Sequence, residues 1–507
     1  MCRPSVKAAK TAKAAKVAGS RAMEFMKPGA FKDNARNALA DDNLRSALAM
    51  LNAGMIPNRQ GAVDRLPEFD LLSQRGRELK DHVLGHLDYY LERFERNCKA
   101  AGGQVHWCST AEDARQAVLK ICRSVDAKSV TKGKSMVAEE IHLNQFLEQH
   151  EIEPVETDLG EYIIQLAEEP PSHIIGPAIH KTKDQVSDLF LKHHAKLGRT
   201  ERQTEPPALV NEAREILRQK YFDADVGITG ANYLIAETGS SIIVTNEGNG
   251  DLTQILPKIH IVITSLEKVV PTLEDATTFL RILARSATGQ DFSAYTTIST
   301  GPRRDGDVDG PEEYHVILLD NGRSAMLGSE VHDMLRCLRC GACINHCPVY
   351  QSVGGHTYGT VYVGPMGAVL SPALLGVAET KHLPCASTLC GRCEEVCPVS
   401  IPLPKLLRQW RARAFEGGDT PQLERWGLSI WAFFARRPWL YGIGARLAMC
   451  GLAWLGRERG RLRNLWFAGG WTDGRDLPAP EGRTFQECWR QQQQQRQRQE
   501  QHGGGAV

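Results

Sequence analysis

The sequence predicts an α/β domain on a mainly parallel sheet, then a compact cysteine-rich module, then a helical C-terminal region. Three observations predict this. Strand-like and helix-like segments alternate between residues 72 and 325, the pattern of a parallel sheet with crossover helices. Eight of the fourteen cysteines fall between Cys337 and Cys397. Eight of the nine tryptophans lie at or beyond Trp410, among segments with helical apolar spacing.

A chain of 507 residues exceeds one ordinary core, so two or three domains are expected. A formal net charge of +1 sets up no overall field toward nucleic acid or an acidic surface. No apolar run reaches the roughly 20 residues of a bilayer span. The opening "MCRPSVKAAKTAKAAKVAGSRAMEF" is basic and lacks a continuous apolar stretch. It reads as a solvated tail rather than a secretory signal, with a transit peptide as the lesser alternative. Cysteines gathered in one short region argue against a secreted disulfide scaffold. They point to a reducing compartment and a local metal site.

Residues 1–71 are expected as a helical arm that packs on a partner or on the main domain. Residues 72–327 form the α/β domain. There "SQRGRELKDHVLGHLDYYLERFERNCKAAGG" reads as one long amphipathic helix closed by a glycine pair. A strand at "QVHWCS", a helix at "AEDARQAVLKICRS" and a strand at "SVTKG" follow, then a helix at "VAEEIHLNQFLEQH" and a strand at "PVETD". "SHIIGPAIH" is expected as strand plus turn, and "ADVGITGANYLIAETGSSIIVTNEG" as strand, short helix and strand. "IHIVITSLEKVV" is a buried strand and "TLEDATTFLRILARSAT" a helix. Residues 328–404 are the cysteine module and 405–490 the Trp- and Arg-rich helical region. Residues 491–507 are low-complexity and expected to be disordered.

The first cysteine motif is Cys337-x2-Cys340-x2-Cys343-x3-Cys347-Pro348. Thiolates are soft ligands for iron–sulfur clusters or zinc. Three cysteines at two-residue gaps let one loop reach three corners of a cubane, and the cysteine before proline ligates the other cluster in two-cluster ferredoxins. Gly341 allows close backbone approach to sulfur. A zinc knuckle is the competing reading; zinc sites usually pair Cys-x2-Cys with a distant second pair. The second motif, Cys390-x2-Cys393-x3-Cys397-Pro398, repeats the end of the first. Ser387 stands where a full repeat would have cysteine, and Cys385 lies two residues earlier. The crossover rule gives cluster one Cys337, Cys340, Cys343 and Cys397. It gives cluster two Cys347, Cys390 and Cys393, with Cys385 as fourth ligand or else a buried free thiol. Without Cys385, cluster two would be a three-iron cluster or have a non-cysteine ligand. The segment "YQSVGGHTYGTVYVGPMGAVLSP" between the motifs reads either as a cover over the clusters or as a linker with a satellite core.

No G-x-G-x-x-G stands on a strand-to-helix turn, so no dinucleotide fingerprint is present. "GNGDL" and "ETGSS" offer backbone N–H groups to an anion, or make ordinary turns. Lys132 and Lys134 are anion-binding candidates, with solvated loop lysines the stronger reading. Glu156, Asp158 and Glu161 form a base or metal group, or a solvated turn and helix start. His180 and Lys181 are candidates to meet a substrate carboxylate. Glu237 is a weak nucleophile candidate by fold analogy alone. Asn246 and Glu247 sit at a strand end, where α/β sheets hold ligands. In the C-terminal region, Arg436, Arg437, Pro438 and Arg446 break the apolar helices into pieces about half the length of a span. Docking on a partner or packing on the cysteine module is favoured over a membrane interface.

"KGKSMVAEEIHLNQFLEQHEIEPVETDLGEYIIQLAEEPPSHIIGPAIHK", "ITGANYLIAETGSSIIVTNEGNGDL" and the two cysteine motifs together closely resemble the lactate-utilisation protein B family. The likeness runs from about Leu39 to about Trp471. It implies an N-terminal lactate-utilisation (LUD) domain related in fold to CoA transferases and sugar-phosphate isomerases. It also implies a ferredoxin-type insert with two 4Fe-4S clusters and a family-specific C-terminal region. The implied role is the electron-transfer subunit of a complex oxidising L-lactate to pyruvate. The implied partners are a second cysteine-rich iron–sulfur protein and a smaller LUD-domain protein, in the cytoplasm or peripherally at the inner face of the membrane. Seven cysteines follow the family pattern firmly; Cys385 departs from it. A stand-alone CoA-transferase-like or isomerase-like enzyme and a redox-sensing iron–sulfur binding protein are the alternatives.

Overall fold

The computed structural model describes residues 26–463, 465, 472 and 475–503. The basic opening segment, residues 1–25, lies outside them. The chain divides into two compact units, Met1–Asp419 and Thr420–Val507.

The first unit is built on a six-stranded sheet, every pair parallel. Its strands are β1 (Gln104–Cys108), β2 (Ser129–Lys132), β3 (Glu153–Glu156), β4 (Val226–Gly230), β7 (Ile259–Ser265) and β10 (Glu313–Leu319). The spatial order is β1-β10-β7-β4-β2-β3. Strand β10, "EYHVILL", ends in the apolar run Val316–Leu319 and is a strand that the sequence reading passed over. Pairing with β1 and β7 buries all of it but Glu313. A second sheet joins β5 (Tyr233–Ile235), β6 (Ser240–Thr245), β8 (Val269–Val270) and β9 (Tyr295–Ser299) in the order β8-β5-β6-β9. "YLI" in β5 is therefore a strand, not the expected short helix; its aromatic and branched side chains suit a pleated, buried surface.

Other expectations need correcting. The long helix is two helices, Phe69–Gly85 and Leu87–Ala100, interrupted at His86. Gly85 weakens the helix there, and His82 Nε2 bonds the Tyr90 hydroxyl at 2.9 Å across the break. "VAEEIHLNQFLEQH" also divides, at His142, whose φ of 51° is left-handed. "SHIIGPAIH" contains no strand. Its backbone is spent locally: His173 Nδ1 accepts the N–H groups of Ile175 and Gly176 at 3.1 Å each, and Ser172 N–H donates to Pro177.

The N-terminal helices pack on this same unit. Arg59 donates to the Val396 carbonyl at 3.0 Å, and the Phe31 ring meets Tyr358 edge-on at 5.4 Å. A Cβ on Gly354 would lie 3.2 Å from Leu44, so glycine lets this helix approach the cysteine module. The segment between the two motifs is part of the core. Tyr350, Tyr358, Tyr362, Val363 and Met366 are buried in one apolar cluster with Cys340, Cys343, Cys347 and Cys393. The helix Leu403–Glu416 buries Trp410 against it, with the indole N–H donating to Val369 at 2.9 Å.

The second unit holds the helices Gln422–Ala435, Pro438–Gly456 and Phe485–Gly503. The last runs through residues 491–503, where composition predicts disorder. Gln and Arg are good helix formers, and neither proline nor glycine interrupts the run until Gly503. Among the described residues no helix is long and apolar enough to cross a membrane.

Candidate metal centre and the adjoining cleft

The two cysteine motifs share one backbone. In the first, Arg339 and Gly341 have φ of 62° and 76°, and a one-turn helix Ala342–Asn345 follows. In the second, Leu389 and Gly391 have φ of 56° and 87°, followed by Arg392–Glu395. Left-handed residues on either side of a cysteine turn successive N–H groups and sulfurs inward. The Arg339 N–H points to Cys337 Sγ at 3.4 Å, and the Leu389 N–H to Ser387 Oγ at 3.1 Å. Ser387 thus takes the turn position that Cys337 holds in the first motif.

Cys337, Cys340, Cys343 and Cys397 line one small cavity, walled by apolar groups including Ile174, Met366 and Ile401. The Ile401 N–H reaches Cys397 Sγ at 3.4 Å. Burial, then the neighbouring Cys397, pushes the Cys340 thiol up to about 12. Burial pushes Cys397 up to about 11 and Cys343 well above the usual thiol range. Left to themselves these thiols keep their protons. A thiophilic metal group displaces the protons and supplies the missing positive charge, so the donor set fits an iron–sulfur cluster. Cys347, Cys390 and Cys393 form the other group. Burial, then Cys347 and Cys390, pushes Cys393 up to about 12. Cys390 and Cys385 are exposed, and Cys385 sits on a turn whose N–H bonds the His382 carbonyl. Arg411 holds that turn through the Pro384 and Ser387 carbonyls, at 2.9 and 3.1 Å.

Buried charges connect the first motif to the parallel sheet. Arg339 binds Glu267 at 3.1 Å and lies over the Tyr362 ring. Arg323 binds both Glu140, at 2.5 Å, and Glu267, at 3.3 Å. The cations Lys80 and Lys268 are both buried and both feel Cys337. Burial, then Arg339, lowers Lys268 to about 7.

The polar candidates read from the sequence separate into distinct places. Lys132 is no solvated loop lysine: it is wholly buried and lies 2.7 Å from both Glu139 and Glu156. Burial would discharge it, but those carboxylates outweigh burial and hold it charged. Glu161 is buried beside them, and burial raises its carboxyl strongly. Asp158 caps the helix Leu159–Ala167 through the Gly160 and Glu161 N–H groups. His180 and Lys181 both bind Glu169, at 2.7 and 2.6 Å. Glu237 is exposed in the turn between β5 and β6; a Cβ on the following Gly239 would strike the Cys98 backbone, so "ETGSS" is a packed turn.

Asn246 and Glu247 do line a cleft of about 400 Å³, together with Lys134, Ser135, Asn232, Lys268 and Arg339. Asn246 donates to Gln290 at 3.0 Å, and Glu247 accepts the Leu159 N–H at 3.4 Å. Burial, then Asp158, raises the Glu247 carboxyl. The sequence reading missed Lys268 and Arg339 in this cleft. The signal for Lys268 was a charged pair, Glu267-Lys268, inside an apolar run.

Comparison with known proteins agrees with this construction. Residues 91–319 match the LUD domain, residues 333–401 the 4Fe-4S dicluster domain, and residues 404–494 the C-terminal domain of lactate utilisation protein B. Iron–sulfur clusters are therefore the cofactors of the cysteine module. Lactate utilization protein B of Geobacillus kaustophilus is 43% identical over 465 residues, 91% of this chain and 97% of its own. That of Geobacillus thermodenitrificans is 42% identical over 466 residues, 92% and 97% of the two chains. A crystal structure of a DUF162 family protein from Deinococcus radiodurans covers 46% of this chain and 98% of its own, at 18% identity and TM-score 0.25, a likeness too weak to define the fold. With identity at this level along nearly its whole length, the chain belongs to the lactate utilisation protein B family.

Proposed function

We propose that this chain is the iron–sulfur electron-transfer subunit of a complex that oxidises L-lactate to pyruvate. The observation that carries the reading is the meeting of Cys397 with Cys337, Cys340 and Cys343 at one cavity, across 53 residues of intervening sequence. In this reading Cys337, Cys340, Cys343 and Cys397 hold the first cluster and Cys347, Cys390 and Cys393 the second, with Cys385 proposed as its fourth ligand. When bound, the clusters supply one-electron carriers at adjacent positions. The protein's own part is to exclude water with Ile174, Met366 and Ile401 and to set the cations Lys80, Lys268 and Arg339 near Cys337. The relationship of the α/β domain to CoA transferases belongs to the same proposal.

The partners are a second cysteine-rich iron–sulfur protein and a smaller LUD-domain protein. The helices Gln422–Ala435 and Pro438–Gly456 support an assembled state: Trp426, Trp431, Trp439 and Trp454 are all exposed on them. Large aromatic side chains left exposed together on helices suit an interaction surface. The test is anaerobic reconstitution with both partners, addition of L-lactate, and electron paramagnetic resonance. Both clusters should be reduced by lactate, and Cys340→Ser should remove the signal of the first. Protein lacking iron and acid-labile sulfide, or clusters that lactate leaves oxidised in the full complex, would reject the reading.

A further inference from the structure

The cleft beside the first cysteine motif stands at the topological switch of the parallel sheet. From β2 the chain moves outward to β3; from β4 it moves the opposite way to β7. Crossovers of one hand then place the two connecting helices on opposite faces, which opens a crevice beyond the ends of β2 and β4. The residues found there are those such a crevice needs. Gly133 follows β2 and its N–H bonds the Ile228 carbonyl of β4 at 2.8 Å, tying the two strand ends together. A Cβ on Gly230 would lie 3.2 Å from Ser135 Oγ, so glycine keeps the mouth open.

Lys268 is the cleft cation with no direct ion-pair partner among the described residues. It is buried, with 6% of its surface exposed, and it lines the cleft. Its ammonium makes one long hydrogen bond, 3.4 Å to the Leu338 carbonyl. Among the described residues no carboxylate oxygen lies within 4 Å of it; the adjacent Glu267 acts on it from farther off and binds Arg323 and Arg339 directly. A buried ammonium has three donors and a desolvation cost that one neutral carbonyl does not offset. The nearby Asn232 spends its carbonyl on the Val244 N–H at 3.0 Å, which leaves its NH2 group as a further donor to the cleft.

The largely aliphatic cleft wall also carries separate acidic and basic groups. Glu247 and Asp158 act on one another and on the Lys134 side, while Lys268 lies with Arg339 beside Cys337. A ligand with one carboxylate can meet the basic end and leave the acidic end facing a neutral or hydroxyl-bearing part. A second carboxylate would be placed against Asp158 and Glu247 and repelled.

We propose that this cleft binds a small 2-hydroxymonocarboxylate, its carboxylate on Lys268 and its hydroxyl toward the Asn232 side, one peptide link from a cysteine of the first cluster. This rests on the electron-transfer reading above and adds to it that the substrate is held by this chain. The geometry also explains why Leu338 and Arg339, residues inside the cluster loop, form part of the cleft wall.

The test uses the full chain, loaded anaerobically with iron and sulfide, and L-lactate as the probe, by equilibrium dialysis. Saturable binding is expected, with inorganic phosphate and succinate failing to compete. Lys268→Met should weaken lactate binding by about tenfold or more at unchanged iron content, and Lys268→Arg should restore most of it. In the unsubstituted protein, lactate should shift the resonance signal of the first cluster and leave that of the second alone, a readout independent of whether the variants fold. Absence of saturable binding to iron-loaded protein, binding unaltered in Lys268→Met, or equal binding of succinate or phosphate would each overturn the proposal. Reduction of both clusters by lactate in the complete complex, combined with no binding to this chain, would overturn the proposal and leave the electron-transfer reading standing.

Discussion

Arg339, inside the first cysteine loop and next to Cys340, donates to Glu267 at 3.1 Å, the residue that follows the end of β7 by two positions. One ion pair therefore joins the cluster loop to the centre of the parallel sheet. Glu267 is buried, the Arg339 side chain is only 10% exposed, and Arg323 shares the carboxylate. Burial works against ionisation of Glu267, but Arg323 and Arg339 hold its carboxyl down to about 2.

Replacing Arg339 by methionine keeps the volume and removes the charge. Glu267 loses one of two cationic partners in a buried site; with Arg323 still paired to it, the cost falls below the roughly 3–5 kcal/mol of a fully orphaned buried charge. The urea unfolding midpoint should fall accordingly. The same change takes a cation from the neighbourhood of Cys337, so the first cluster should become harder to reduce in a redox titration while the second is unaltered. An unchanged potential would mean that this arginine serves packing alone.

Cys385 and Ser387 offer two ways to complete the second cluster. Cys385 has the softer ligand; Ser387 has the position, since its hydroxyl accepts the Leu389 N–H as Cys337 sulfur accepts that of Arg339. Single replacements Cys385→Ala and Ser387→Ala separate them. The substitution that lowers iron from about eight to about seven per chain, and brings up a three-iron signal in the oxidised protein, identifies the ligand. If neither changes the iron count, both residues shape the turn and neither binds metal.

Glu169 gives a pH dependence of defined sign. Burial opposes its ionisation, but hydrogen bonds from His180 and Lys181 hold its carboxyl down to about 2. A carboxyl depressed in the folded state contributes stability that is present above its unfolded value, about 4.3, and lost as pH falls toward 2. The contribution at neutral pH is roughly 3 kcal/mol. Unfolding free energy measured between pH 6 and 2.5 should decline less steeply in Glu169→Gln than in the unsubstituted protein. Parallel curves would remove Glu169 from the acid response.

Much of the fold was readable because it is set locally. The helices Ala111–Ser124 and Leu273–Ala287 announce themselves through a threonine cap, early acids and apolar spacing, and all three features are in the structure. The elements that were misread are those where tertiary demand prevails. "SHIIGPAIH" has strand composition, yet its isoleucines serve as a loop that closes over Gly341; a Cβ there would lie 3.1 Å from Ile175. Glu156 and Glu161 looked like a solvated turn because nothing nearby in sequence shows that Lys132 is buried among them.

The amino-acid order alone determined the cysteine motifs, because the reach of a three-residue step is a property of the chain and needs no partner from elsewhere. It equally determined the alternation of strands and helices, through the periodicity of apolar side chains. Only the tertiary structure decided that Arg339 finds Glu267, that Lys132 is buried among carboxylates, and that Lys268 lines a cleft at the sheet's switch point without a direct ion pair. Those relationships join residues tens of positions apart, and their energies depend on burial, which the packed sheet creates and the linear chain does not possess.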